Sequence, residues 1–226
     1  MKSSTHTTPK ASIFLFLLCS MCFMSCKKHD PNVVVQGQAK LKVINAVQSD
    51  TKEEVYVDNS KMTSAALSFG ETSDYVKVSS GSRFISFVGS NTLNTDTNLN
   101  FKPSLTYSTF LIADRDGKKE IINYKDNLSV SDMTAAKIRV VNLTPYFTTG
   151  INVSIQTGSP FINAIMFKEA SNYFTVENGA ALRYNVVGSG NIKTIAATDL
   201  LPGKIYTIWL SGLTSASLEA HLIVDN

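Results

Sequence analysis

The chain has 226 residues, of which 43% are hydrophobic, 17% charged and 9% aromatic, with 12 Gly and 6 Pro. This is the composition of a folded protein and excludes disorder, collagen and coiled coil as the main state. Twenty-one Lys and Arg against 18 Asp and Glu leave +3, too small a surplus for a nucleic-acid face, and three Cys and three His offer little to a metal or a nucleophile.

Residues 1–25 read as an export signal. Lys2 and Lys10 form a positive start, and an apolar run from Ile13 to Met24 follows. Roughly a dozen apolar residues fall short of the ~20 that cross a bilayer, so the run is expected to be a signal core and not a membrane span. Phe23-Met24-Ser25-Cys26 resembles the lipobox of bacterial lipoproteins. That resemblance implies cleavage before Cys26 and acylation of its sulfur and new amine; two or three acyl chains hold where one is marginal. Cys19 and Cys22 would leave with the signal, and the remaining side chains sum to +1. With Cys26 the sole mature Cys, no internal disulfide is available and the fold must rest on its core. Residues 26–38, with Pro31 and Gly37, read as a tether. Lys27 stands where an inner-membrane retention signal has Asp, which by analogy directs the protein to the outer membrane of a Gram-negative bacterium, facing the periplasm or the cell surface.

The rest of the chain repeats itself. Lys40-Leu41-Lys42-Val43-Ile44-Asn45 returns 97 residues later as Lys137-Ile138-Arg139-Val140-Val141-Asn142. Ser73, Tyr75, Val78 and Gly81 match Ser171, Tyr173, Val176 and Gly179 at 98, and Tyr107 and Leu111 match Tyr206 and Leu210 at 99. Such drift is what single-residue loop insertions leave between two copies of one unit. Within each copy apolar and polar residues alternate: Leu41 and Val43 with Lys40 and Lys42, Ile138 and Val140 with Lys137 and Arg139, and Leu182, Tyr184 and Val186 with Arg183 and Asn185. Period 2 predicts half-buried strands with one face in a core and one in water. Asp-Asn-Ser at 58–60, Asp116-Gly117, Asn178-Gly179 and Pro202-Gly203 supply turns, and 62–67 and 163–170 hold a helical turn at most.

These features predict an all-β protein of two tandem antiparallel immunoglobulin-like β-sandwich domains, residues 39–127 and 136–226. The linker at 128–135 is short, so the sandwiches are expected to sit end to end. The order V-I-N-A, V-Y-V-D, F-G, Y-V-K-V, S-G, G-S and P-S-L-T-Y-S resembles the family described as domain of unknown function 4397. The second copy reads I-N-V-S-I in place of V-Y-V-D, and Ser104 stands in the first where Gly203 stands in the second. The resemblance implies an exported bacterial protein with one or more sandwich repeats and implies no activity, because a fold does not carry a function.

A search for chemistry finds little. His221 is the one His in the folded part and reads as a strand residue; Glu53, Glu54, Asp58, Glu71 and Asp74 read as a solvated strand face that recurs as no carboxylate pair. Asp114-Arg115-Asp116-Gly117 has the alternate acids of a calcium loop but continues with Lys118-Lys119, so a hairpin turn is expected. Gly188-Ser189-Gly190 is too short for a phosphate cradle. The aromatic pairs Phe69/Phe167, Tyr75/Tyr173 and Tyr107/Tyr206, and Trp209 aligned with Phe110, read as core. Tyr146, Phe147 and Phe161 have no counterpart in the other copy and are the better ligand candidates. No cofactor, metal site or catalytic residue is expected. The function expected is a non-enzymatic, lipid-anchored module that binds a glycan or an envelope protein. An assembly subunit that accepts a strand at a sheet edge, or an envelope glycoside hydrolase, are the alternatives.

Overall fold

The computed structural model describes residues 37–90, 93–129, 132–156 and 158–226. The signal segment 1–25, Cys26 and the tether as far as residue 36 lie outside the described residues. The first sandwich contains β1 (Gln38–Asn45), β2 (Glu53–Val57), β3 (Ser60–Lys61), β4 (Val76–Ser79), β5 (Gly81–Gly89), β6 (Thr95–Phe101), β7 (Thr106–Ala113) and β8 (Lys119–Asp126). The second contains β9 (Ala135–Asn142), β10 (Ile151–Ile155), β11 (Pro160–Ile165), β12 (Phe174–Glu177), β13 (Leu182–Val186), β14 (Lys193–Ile195), β15 (Ile205–Ser211) and β16 (Glu219–Val224). A three-residue 3₁₀ turn at Ala197–Asp199 is the one helical element among the described residues.

Both halves are wired alike. Sheets β4-β1-β7-β8 and β3-β2-β5-β6 form the first sandwich, and β12-β9-β15-β16 and β11-β10-β13-β14 form the second in the same relative order. The expected immunoglobulin-like sandwiches are therefore present, with one departure from antiparallel pairing. In each half the first strand runs parallel to the seventh, β1 with β7 and β9 with β15. β1 starts inside the expected tether, because Gln38 already pairs with Ser79.

The alternation predicted from sequence fills two separate cores. Leu41, Val43, Val55, Ile85, Phe87 and Leu111 pack inside the first sandwich, and Ile138, Val140, Ile151, Leu182, Ile208 and Leu210 inside the second. Several residues shared by the two copies are the fixings of these cores. Asn45 and Asn142 are fully buried; each accepts the N–H two residues on (Val47, Thr144) and donates its amide to a carbonyl (Leu67, Ile165). The Tyr107 and Tyr206 hydroxyls accept the N–H of Lys102 and Leu201. Glu71 and Glu169 each accept a backbone N–H three residues earlier, so this acid does recur, as a turn brace. Ser104 answers to Gly203 because both sit in the left-handed region, at φ +63° and +71°, where glycine is the residue without strain.

The end-to-end arrangement expected from the short linker is not what forms. All described residues belong to one compact unit, and a third buried cluster joins the halves: Ile44, Phe110 and Ile112 from β1 and β7 against Val141, Trp209 and Ile223 from β9, β15 and β16. These side chains lie on the strand faces opposite to the two cores. Sheet β4-β1-β7-β8 therefore packs face to face on sheet β12-β9-β15-β16, and the face that alternation assigned to water is buried in a seam. The reason is the sequence of that face: every second residue of β7 and β15 is apolar or small on both sides, so both sheets must bury two faces.

Candidate functional site

One end of the seam is polar. Lys42 and Arg139, the same position in the two copies, are 4% and 2% exposed. Lys42 Nζ donates to Asp225 Oδ1 at 3.1 Å, and Arg139 Nη2 donates to Asp126 Oδ1 at 2.7 Å. Asp126 and Asp225 are themselves equivalent, so each base pairs with the acid of the opposite sandwich next to or within the seam's own strands: Lys42 of the first reaches Asp225 of the second, and Arg139 of the second reaches Asp126 of the first. This reciprocity is the signature of an isologous interface.

The four charges form one network. Thr207 Oγ1 accepts from Arg139 at 2.8 Å and donates to Asp225 Oδ2 at 2.6 Å. The Tyr75 hydroxyl donates to Asp126 Oδ2 at 2.8 Å and lies 3.3 Å from Asp225 Oδ1, and Ser108 Oγ donates to Asp126 at 2.9 Å. Burial pushes the Asp126 carboxyl above its ordinary range, against the pull of Arg139, and burial next to the two aspartates pushes the Tyr75 phenol up. The Lys42 ammonium stands 4.2 Å from the Tyr75 ring centre, and the Arg139 guanidinium 5.2 Å from that of Tyr173. The pair Tyr75/Tyr173 thus belongs to the seam's polar end and not to a sandwich core.

Aromatic rings hold the middle of the seam. Trp209, fully buried, stacks on His221 at 3.8 Å and meets Phe69 and Phe110 edge-on at 5.8 and 6.5 Å. Phe69 and Phe167, expected in the cores, pack against this cluster instead. Ser211 Oγ lies 2.8 Å from His221 Nε2. A nucleophile–base pair would need a carboxylate on the other ring nitrogen, whereas Glu219 is 3.9 Å from the same Nε2. Burial pushes the His221 imidazole below its ordinary value, with Glu219 opposing. This geometry reads as a neutral ring locked in a packed interface.

Beyond the rings the seam opens into a cleft of about 520 Å³, within the size range of small-ligand sites. Two connections from each sandwich line it: 46–52 after β1 and the β7–β8 turn from the first, 143–150 after β9 and the β15–β16 connection from the second. Arg115 Nε donates to the Pro145 carbonyl at 2.6 Å and ties the two sides together at this end. Tyr146, 39% exposed, lines the cleft. Phe147 and Phe161 do not join it; both pack on the second core, Phe161 edge-on to Phe174 at 4.9 Å.

Four of the acids singled out in sequence, Glu53, Glu54, Asp58 and Asp114, are held by neighbouring groups. Glu53 is no solvated strand residue: it is 1% exposed and takes Lys119 Nζ at 2.6 Å. A strand that begins beside the cleft buries its first side chain, and Lys119 supplies the counter-charge. Glu54 bonds Tyr56 and Lys61, and Asp58 holds Arg83 and the Phe84 N–H. Asp114 Oδ1 accepts the N–H of Asp116 and of Lys118, with Gly117 at φ +78°, as a hairpin turn requires. Among the described residues no three His, Cys, Asp or Glu side chains gather as a metal site. What sequence reading missed is the seam network. Its signal was the recurrence of a base at 42 and 139 and an acid at 126 and 225, on a face otherwise carrying Phe110 and Trp209.

Residues 39–149 match the family model described as Domain of unknown function (DUF4397). The match covers the first sandwich, β9 and most of the cleft-lining connection that follows it. No curated protein matches the chain.

Proposed function

We propose that the chain is an exported outer-membrane lipoprotein, held by acyl chains on Cys26, that displays its paired sandwiches as a non-enzymatic binding module for a glycan or an envelope protein. The observation that carries the reading is the seam: it brings loops of both sandwiches to one end and leaves a cleft between them. A tether from Cys26 to the first strand gives that end reach from the membrane. The functional groups near the cleft favour recognition over reaction, since Asp114, Glu53 and His221 are each committed to bonds that hold the fold.

Two measurements test it together. Cys26→Ala in a Gram-negative host should move the protein from the membrane to the soluble fraction; unchanged membrane retention contradicts the anchor. The chain from Lys27 onward, probed against arrays of envelope glycans and envelope proteins, should bind members of one class, and silence on both arrays contradicts the binding role.

A further inference from the structure

The cleft between the sandwiches has two unlike walls and only two charged side chains in its lining, Asp114 and Lys119. On one side Gln48 and Ser49 are exposed and Thr51 half-buried, and none of the three side chains makes a hydrogen bond among the described residues. An amide and two hydroxyls can each donate and accept. On the other side stand Leu143, Pro145, Tyr146 and Leu213, of which Tyr146 and Leu213 are 39% and 55% exposed. Of the charged groups at the cleft, Asp114 Oδ1 accepts two backbone N–H groups and Lys119 pairs with Glu53.

We propose that this cleft is a site for an uncharged saccharide of a few pyranose units. The proposal rests on the binding-module reading above and names its ligand class. A pyranose has an apolar C–H face, which suits a Tyr ring with Leu and Pro beside it, and an equatorial rim of hydroxyls, which suits groups that both donate and accept. The one cation among the lining residues, Lys119, is held by Glu53, so an anionic ligand would be buried without a partner, which is costly. A peptide added as a strand would need an open row of backbone N–H and C=O groups; the cleft is lined by connections between strands, several of whose backbone groups are already taken. The seam below keeps the walls in place, so little ordering cost falls on binding.

The test uses the full chain in detergent micelles, with triacetylchitotriose, cellotriose and mannotriose as neutral probes and trigalacturonate as an anionic one, read by saturation-transfer NMR and calorimetry. At least one neutral trisaccharide should bind at millimolar or lower concentration, trigalacturonate at least tenfold more weakly, and Tyr146→Ala should weaken the neutral ligand at least tenfold. Gln48→Ala with Ser49→Ala, both exposed and outside the cores, should do the same without altering unfolding by urea. No binding by any neutral probe overturns the proposal, as does binding that both variants leave intact. If the arrays return an envelope protein while all four sugars fail, the binding-module reading survives and the saccharide assignment falls. If arrays and sugars are both silent, both fall.

Discussion

Replacing Arg139 with Met is expected to destabilise the protein by about 3–5 kcal/mol, the usual cost of stranding one member of a buried ion pair. The Asp126 carboxylate would keep its bonds from Tyr75 and Ser108 but lose the Arg139 guanidinium at 2.7 Å, the one cation paired with it among the described residues. Thr207 would lose its donor as well. The deficit has a direction in pH. The folded-state pKa of Asp126 is already raised by burial, and losing Arg139 raises it further. Between its unfolded and folded values the native state then binds more protons than the unfolded chain, so the variant should regain stability as pH falls through that window. Arg139→Met combined with Asp126→Leu removes both charges and should recover most of the loss, because a well-packed apolar pair often matches a buried ionic one. Urea unfolding of the three variants measures this. A single-variant loss under about 1 kcal/mol would mean that the network is open to water.

Trp209→Ala carries the other large effect, about 3–5 kcal/mol for deleting a fully buried large aromatic side chain. The ring touches both sandwiches: it stacks on His221 of β16 and meets Phe69 and Phe110 of the first sandwich edge-on. Its removal leaves a void at the contact between sheets and not inside either core. The expected outcome is therefore a lower urea midpoint together with loss of a single shared transition, since each sandwich keeps its own core. Trp209→Phe, which restores the ring present at the equivalent Phe110, should lose much less. If Trp209→Ala unfolds the second sandwich alone and leaves the contact between sheets unchanged, the ring belongs to that core and the seam does not depend on it.

The strands were legible because each sandwich buries one face of each sheet, and a one-sided core writes itself as alternation. Leu41 and Val43, or Leu182, Tyr184 and Val186, could be placed from spacing alone. The shared Asn, Ser and Tyr residues were legible as a repeat but not as fixings, since an Asn that caps its own loop and bonds across to Leu67 needs the loop to be seen. The seam stayed hidden for a more specific reason. Lys42 and Arg139 alternate with apolar residues as solvent-facing bases do, and only their partners in the opposite sandwich, Asp225 and Asp126, 183 and 13 residues away, make burial tolerable. A short linker suits an end-to-end pair as well as a face-to-face one. Tyr146 could be picked out because it has no counterpart in the first copy; the cleft beside it could not, because it exists only once the sheets have met.

The pairing of the two sandwiches through their sheet faces underlies the network, the ring cluster and the cleft alike. It is tested most directly by placing a specific protease site in the connection between β8 and β9 and cutting the folded chain there. Trp209 is the only Trp in the sequence and sits in the seam, so its emission reports the contact. The two fragments should elute together as a one-to-one complex with the blue emission of a buried indole, and should part only when urea unfolds them. Fragments that separate in native buffer, with emission shifted to the red, would contradict the face-to-face pairing.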